Sequence, residues 1–385
     1  MKKKIKVMHM IWSMGDGGAQ QVVINYLRDF NNDPDIEFKL YVYTKPTNSK
    51  YDKEIKDNAY NVCYLNNPKT KLQVPYFKRF FQRPISKAAW ARAIQEFKPD
   101  IVHVHISSLL AATMPGIIES KVPVRFDTLH SSPYRYKGRY KRIIVDAFQK
   151  QNVIPVCVTE EQVWEAQDWY GISKYEVVRN GVDIGSIRAK CCTKQEARTQ
   201  YGLKENTFVV IGVGRLNPIK KYDLLIESFA EVHRRNRNSI LILAGAGEEK
   251  RKLQHTAEKL GVTDSVKFLG NISDVTMLYC AADVLAVTSD TESSSLVAIE
   301  AQACGTRCVL SHGVPKESVL LKSTQRLEEN ASVDDWCEAL MNDSYEGTPA
   351  ARIEDYEVHN MSKKMKEIYL KYYSDYMEKN HADTK

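Results

Sequence analysis

Short apolar runs and amphipathic stretches take turns along almost the whole of this chain. Runs at residues 5–10, 37–43, 62–65, 101–105, 124–129, 176–178, 208–214, 239–244, 266–269 and 284–288 are each of strand length. Stretches at 21–28, 86–97, 160–169, 222–234, 275–281 and 295–303 are helical by composition and apolar spacing. Where a helix separates consecutive strands, the chain returns to the same end of the sheet before the next strand begins, so the strands pair in parallel. The expected fold class is α/β, with doubly wound sheets covered by helices on both faces. At 385 residues the chain has length for two such domains.

In sheets of this kind ligands collect at the carboxyl ends of the strands, where free N–H groups and the positive ends of helix dipoles converge. The richest such end lies in residues 284–310, VLAVTSDTESSSLVAIEAQACGTRCVL. A strand there runs into a turn at 290–294 and then into a helix. Ser293, Ser294 and Ser295 offer cap oxygens and hydroxyls, and the N–H groups through Leu296 complete an anion-binding helix tip. Glu292 precedes the helix and can point into a cleft. Glu300 lies roughly two turns on, where a carboxylate can accept two hydrogen bonds from a vicinal diol such as ribose. A solvated helix-face Glu plus one that satisfies the dipole would leave the same spacing.

A second signature is GRLNPIK at 214–220. Arg215 and Lys220 leave one strand end around a Pro turn, and together can clamp a diphosphate leaving group. Gly15, Gly17 and Gly18 follow the first strand, where missing side chains let a ligand approach the backbone. His130 leaves the strand at 124–129, and fits either a hydrogen-bonded structural residue or one facing a reacting centre; residues 131–142 after it read as a long polar loop over the same edge. His103 and His105 read as structural, and Asp33 with Asp35 as a turn.

These segments, in this order, resemble the retaining GT-B glycosyltransferases of the family 4 type (glycosyl transferases group 1), which include bacterial capsule, exopolysaccharide and glycolipid enzymes. Glu292 and Glu300 are similar to that family's paired-Glu motif, GRLNPIK to its GRL-x-P-x-K motif, and GDGGAQ at 15–20 to its GGAE-like loop. RNGVD at 179–183 resembles the box where the first domain hands over to the second. The resemblance implies two Rossmann-like domains facing a central cleft: an acceptor-side domain at 1–183, a nucleotide-sugar domain at 184–355, and a helix at 356–385 crossing back to the first domain.

The implied function is transfer of a sugar from a nucleotide diphospho-sugar, by family example a UDP-sugar, to a lipid-linked or polysaccharide acceptor with retention of configuration. Glu292, His130, Arg215 and Lys220 are the implied catalytic residues. Gly17, Gly18, Gly214, Arg215, Lys220, Ser293, Ser294, Ser295, Leu296 and Glu300 are the implied donor contacts. No metal or cofactor is expected, because the cation pair does a divalent ion's work. Ser293, Ser295 and Lys221 stand where the family has Gly or Pro, and Gln20 where it often has an acid, which bears on donor choice and activity. A sugar-nucleotide 2-epimerase or hydrolase fits the same scaffold, as does a non-catalytic sugar-nucleotide-binding subunit of a membrane glycan assembly.

Composition narrows the setting. Hydrophobic content of 43% and charged content of 27% are those of a soluble globular protein, and no apolar run reaches a membrane span. The opening MKKKIKVMHMIW mimics a signal peptide, but Lys6 and His9 interrupt it and no small-residue cleavage site follows, so a first strand is expected. Eight cysteines without C-x2-C pairs argue against a zinc ribbon or disulfide framework and for a reducing cytoplasm. Net charge is +7, and basic residues mix with aromatics at 76–87 and 134–142. These segments suit an anionic membrane surface at the inner face of the plasma membrane, or a lipid-diphosphate acceptor. No nucleic-acid motif accompanies them. The tail at 353–379 reads as one helix with Met361, Met365, Ile368, Tyr372 and Tyr376 on a packing stripe.

Overall fold

The computed structural model describes residues 3–65 and 82–382. Contacts divide the chain into two units, Met1–Gly181 with Val358–Lys385, and Val182–Glu357. The first unit runs β1 (Ile5–Ile11), α1 (Gly18–Phe30), β2 (Ile36–Val42), α2 (Lys50–Asp57), β3 (Val62–Tyr64), α3 (Gln82–Phe97), β4 (Ile101–His105), α4 (Leu110–Glu119), β5 (Val124–Thr128), α5 (Gly138–Lys150), β6 (Val153–Cys157), α6 (Glu160–Tyr170) and β7 (Glu176–Val177). Among the described residues these strands form one parallel sheet in the order β3-β2-β1-β4-β5-β6-β7. Alternation along β1 sends Val7 and Ile11 into the core beneath α1, and Met8 and Met10 into the opposite core with Trp90 and Ile94. Both faces are thus covered, as the apolar runs require.

One stretch differs from its sequence reading. Residues 131–142, read as a long polar loop, form a tight turn at Pro133–Arg135 and then enter α5. Lys and Arg on the outer face of α5 mask an inner face that buries Ile144 and Ala147. Of the other basic-aromatic segment, at 76–87, residues 76–81 lie outside the described residues, which resume with α3.

The second unit runs α7 (Ile184–Lys190), α8 (Lys194–Gln200), β8 (Phe208–Val213), α9 (Tyr222–Arg235), β9 (Ser239–Ala244), α10 (Lys250–Lys259), β10 (Val266–Gly270), α11 (Thr276–Ala281), β11 (Val284–Val287), α12 (Leu296–Ala303), β12 (Arg307–Leu310), β13 (Gln325–Arg326) and α13 (Val333–Met341). Its described strands pair in parallel in the order β10-β9-β8-β11-β12-β13. Val210 packs on one face of the sheet, Val209 and Ile211 on the other. The segment after β12, which has no periodic pattern, is organised by one buried amide. Gln302 donates to the Ser318 carbonyl at 2.8 Å and accepts from the Leu320 and Leu321 N–H groups at 2.7 and 3.0 Å.

The chain ends in α14 (Val358–Ala382), counted with the first unit. Met361, Met365, Ile368 and Tyr369 are buried, while Tyr376, expected on the same stripe, is 37% exposed. Lys366 on this helix reaches Asp33 and Asp35, both at 2.8 Å. Asp33 also accepts from the Asp35 N–H at 2.8 Å, so the turn reading of that pair stands and the turn anchors the helix. No described helix is long and apolar enough to cross a membrane.

Each strand order reverses direction at one place, between β1 and β4 in the first unit and between β8 and β11 in the second. Such reversals splay the flanking loops apart and open a crevice at the carboxyl ends of the strands.

Candidate functional site

In the second unit, the loops leaving β8 and β11 carry most of the residues singled out in the sequence. They are stitched together by backbone. Thr288 Oγ1 donates to the carbonyls of Lys220 and Lys221 at 2.7 and 3.0 Å, and the Asp290 N–H reaches the Ile219 carbonyl at 2.8 Å. Lys220 ends a tight turn at Pro218–Lys220 whose N-cap, Asn217, accepts from the Lys220 N–H. The Lys220 ammonium lies 2.5 Å from Glu292 Oε1, and this oxygen also accepts from Ser289 Oγ at 2.8 Å. The side chains of Lys220 and Glu292 are 20% and 15% exposed, so the pair is largely shielded while remaining reachable.

The Glu292 loop is braced from a region without a sequence signature. Its N–H donates to the Gly313 carbonyl at 2.8 Å, and Ser311 Oγ donates to the Ser289 carbonyl at 2.6 Å. A Cβ on Gly313 would lie 2.2 Å from the Asp290 carbonyl oxygen, so only glycine permits this approach. Gly214, at φ 144°, sits beside the Lys220 side chain: a Cβ there would be 3.7 Å from Nζ. Arg215 follows it, exposed, and no ion pair or side-chain hydrogen bond of Arg215 occurs among the described residues.

At the tip of α12, the hydroxyls of Ser293, Ser294 and Ser295 are buried and have no hydrogen-bond partner. Ser295 occupies the N-cap without using its side chain as a cap, and the Leu296 N–H turns back to the Ser294 carbonyl at 3.1 Å. A buried hydroxyl without a partner costs about 1–3 kcal/mol. Three in succession, directly after Glu292 and at a helix N-terminus, form a set of donors that the protein itself leaves without acceptors. Two turns along, Glu300 accepts from Tyr279 Oη at 3.0 Å. Burial, with the Glu300 charge adding to it, pushes the Tyr279 phenol well above its ordinary value, so it stays a donor.

In the first unit, Gly17 and Gly18 begin α1, and Gly17 holds the N-cap position in extended backbone. Nothing lies within 4 Å of a Cβ built on Gly15, while Gln20 Nε2 ties the loop to the Ser13 carbonyl at 3.0 Å.

His130 is part of an arrangement absent from the sequence reading. His9 on β1 lies opposite His103 on β4, and His103 and His105 project to one face of that strand with rings 4.5 Å apart. A hydrogen-bonded chain runs from Thr128 Oγ1 to His103 Nε2 (2.6 Å), His103 Nδ1 to Tyr369 Oη (2.5 Å), and Tyr369 Oη to His9 Nε2 (2.7 Å). It continues from His9 Nδ1 to His105 Nε2 (2.9 Å) and from His105 Nδ1 to His130 Nε2 (2.8 Å). Burial, then the neighbouring imidazoles, hold His9, His103 and His105 well below the ordinary value, and burial lowers His130 as well. All four rings are therefore neutral near pH 7, each with one donor and one acceptor nitrogen. A neutral chain of this kind has two settings: every proton points toward His130, or every proton points away. The tautomer of His130 is thereby coupled to groups as distant as Thr128. The next residue after His105, Ile106, has φ 75°, a strained value for a β-branched side chain and a mark of a constrained site.

The sequence named His130 and read His103 and His105 as structural, but missed His9 and Tyr369 as their partners; the one available signal was the alternating IVHVH of β4, which puts two imidazoles on one face. Tyr279 and Gly313 were missed because their partners, Glu300 and Glu292, lie well away in sequence; Ser289 was missed although its partner Glu292 is close in the same loop.

Comparison with known proteins agrees with this geometry. Residues 193–343 match the family described as Glycosyl transferases group 1, and residues 17–186 match Glycosyltransferase Family 4, so the chain carries a domain of each kind. A D-inositol 3-phosphate glycosyltransferase of Gordonia bronchialis is 37% identical over 206 residues, 48% of this chain and 43% of that protein. The chain thus spans less than half the length of this relative. EpsF of Bacillus subtilis, a proposed glycosyltransferase, is 24% identical over 365 residues, 89% of each chain. Among solved structures, Anabaena HepE in complex with UDP and glucose has a TM-score of 0.79 at 18% identity, covering 95% of this chain and 100% of that one.

Proposed function

We propose that this chain is a glycosyltransferase whose second unit holds a nucleotide diphospho-sugar, with UDP as the nucleotide, and transfers the sugar with retention of configuration. The observation that carries this reading is the cluster at the ends of β8 and β11, where Glu292 pairs with Lys220 and is followed at the tip of α12 by three buried serine hydroxyls without partners. A diphosphate supplies the oxygens such donors lack. UDP in the HepE complex supports the choice of nucleotide.

In this reading Lys220 and the serine donors bind the diphosphate and stabilise the charge that develops on its oxygens as the sugar–phosphate bond breaks. Arg215, exposed and without an ion-pair partner among the described residues, closes on the outer phosphate as the second cation. Glu292 has two tasks: it holds the Lys220 ammonium in place, and it orients the sugar through its other carboxylate oxygen. Glu300, steadied by Tyr279, accepts from the ribose hydroxyls. His130 acts at the reacting sugar as a neutral hydrogen-bonding group, since burial and the imidazole chain disfavour the charged ring.

The acceptor is assigned to the first unit, as a lipid-linked or polysaccharide glycan at an anionic membrane surface, in capsule or exopolysaccharide assembly. A groove of about 460 Å³ supports this, its apolar side made by Met114, Ile118 and Ile143 and its cationic side by Arg139 and Arg142. Asp146 also lines the groove, and Ile118 within it is 43% exposed, a mix suited to an interface between lipid and head group.

The deciding experiment measures UDP release from a panel of UDP-sugars, with and without a lipid-linked acceptor. Acceptor-dependent release is expected. Equal release without acceptor would assign a hydrolase or epimerase instead, and binding without release a non-catalytic subunit.

A further inference from the structure

Away from the donor site, the second unit gathers sulfur. Cys191 caps the C-terminus of α7, Cys280 lies in α11, and Cys304 caps the C-terminus of α12. Their Sγ atoms lie within 4.8 Å of one another. Cys192, next along the chain, is hydrogen-bonded to the Cys280 thiol and lies 3.3 Å from Met277 Sδ. The sequence reading set these cysteines aside because no C-x2-C pair joins them. Folding brings residues more than a hundred positions apart to one point where three helix ends meet.

We infer that Cys191, Cys280 and Cys304, with Cys192 as fourth ligand, form a thiolate site for one zinc ion. Tetrahedral zinc with Zn–S bonds of about 2.3 Å places its sulfurs about 3.8 Å apart, so the observed spread closes by small χ1 adjustments rather than backbone movement. All four thiols are partly exposed, which gives the ion a way in and the protons a way out. Binding exchanges the four thiol protons for Zn²⁺ with no change of oxidation state. An all-sulfur set selects a thiophilic ion over Mg²⁺ or Ca²⁺.

The site would pin three helices that frame the donor residues. Cys280 adjoins Tyr279, which holds Glu300, and the Cys304 N–H donates to the Glu300 carbonyl at 3.2 Å. The zinc site stands independently of the transferase reading.

The test uses the full chain, purified and stripped with a chelator. Titration with Co²⁺ should produce thiolate-to-cobalt charge-transfer absorption that saturates at one equivalent and is abolished by one equivalent of Zn²⁺. Zn²⁺ at a hundredfold excess over its dissociation constant should raise the apparent melting temperature by roughly 5 °C or more. Cys280→Ser and Cys304→Ser should lose both responses, while Cys63→Ser, outside the cluster, should keep them. In the unmutated chain, Zn²⁺ should shield four thiols from a thiol-labelling reagent, a readout that needs no variant to fold. Absence of the charge-transfer band, its survival in Cys304→Ser, or unshielded thiols in the presence of Zn²⁺ would overturn the site, as would a disulfide within the cluster forming in air while Zn²⁺ is present.

Discussion

The two units solve the problem of placing polar groups at strand ends in opposite ways. The second unit uses full charges near water: Lys220 and Glu292 neutralise each other at 2.5 Å, and buried serines stand ready for an anion. The first unit uses neutral rings away from water, strung from Thr128 to His130, where any added proton would meet desolvation and its neighbours at once. A charged pair can exchange partners when a ligand arrives, because each member keeps donors or acceptors to spare. A saturated neutral chain cannot, and so supplies rigidity and a fixed tautomer. Chemistry that needs charge therefore belongs to the β8 and β11 loops, and chemistry that needs orientation belongs to the β4 and β5 edge.

The largest expected effect breaks this division at its charged end. Lys220→Ala should lower turnover by about 10²–10³-fold, the loss typical of one transition-state donor, as measured by UDP release. Its backbone carbonyl still accepts from Thr288, so the loop should persist. A double-mutant cycle of Lys220→Met with Glu292→Gln should show coupling of about 1–3 kcal/mol in kcat/KM, since the two side chains share one hydrogen-bonded unit. Additive losses would mean that they act separately.

The neutral end should answer in stability instead. Tyr369→Phe strips a bridging hydroxyl from His9 and His103 and leaves imidazole nitrogens buried without partners, a cost of about 1–3 kcal/mol in urea denaturation. A graded effect comes from pH. The depressed histidines contribute stability that is complete above about pH 6.5 and declines as the pH falls from there toward their native values, by up to about 1.4 kcal/mol per pH unit for each ring. Urea midpoints measured between pH 7.5 and 5.5 should fall, and less steeply in His103→Gln. The smallest effect, about 1 kcal/mol, is expected for Lys366→Met, which removes a partly exposed pairing with Asp33 and Asp35.

The same contrast explains what could be read in advance. Glu292, Lys220 and the serine run sit on contiguous strand–turn–helix segments, so local pattern places them at a carboxyl edge. The doubly wound sheets follow from the alternation of strand and helix, and from apolar runs that need cover on both faces. What escaped was long-range. Tyr369 joins His9 across 360 positions of sequence, and nothing local in α14 separates it from its packing neighbours. Gln302 organises the segment after β12 by hydrogen bonds that carry no periodicity. The segment at 131–142 was misread because its charges hid a helical face, and the cysteines because their pairing exists only in space.

Calorimetric binding of UDP to the unmutated chain and to Lys220→Ala, in buffer at moderate salt, tests most directly whether the ends of β8 and β11 grasp a nucleoside diphosphate. Affinity lower by roughly ten- to a hundredfold in the variant, with the fold intact by circular dichroism, is the expected result. Equal affinities in both proteins, or no binding to either, would contradict it.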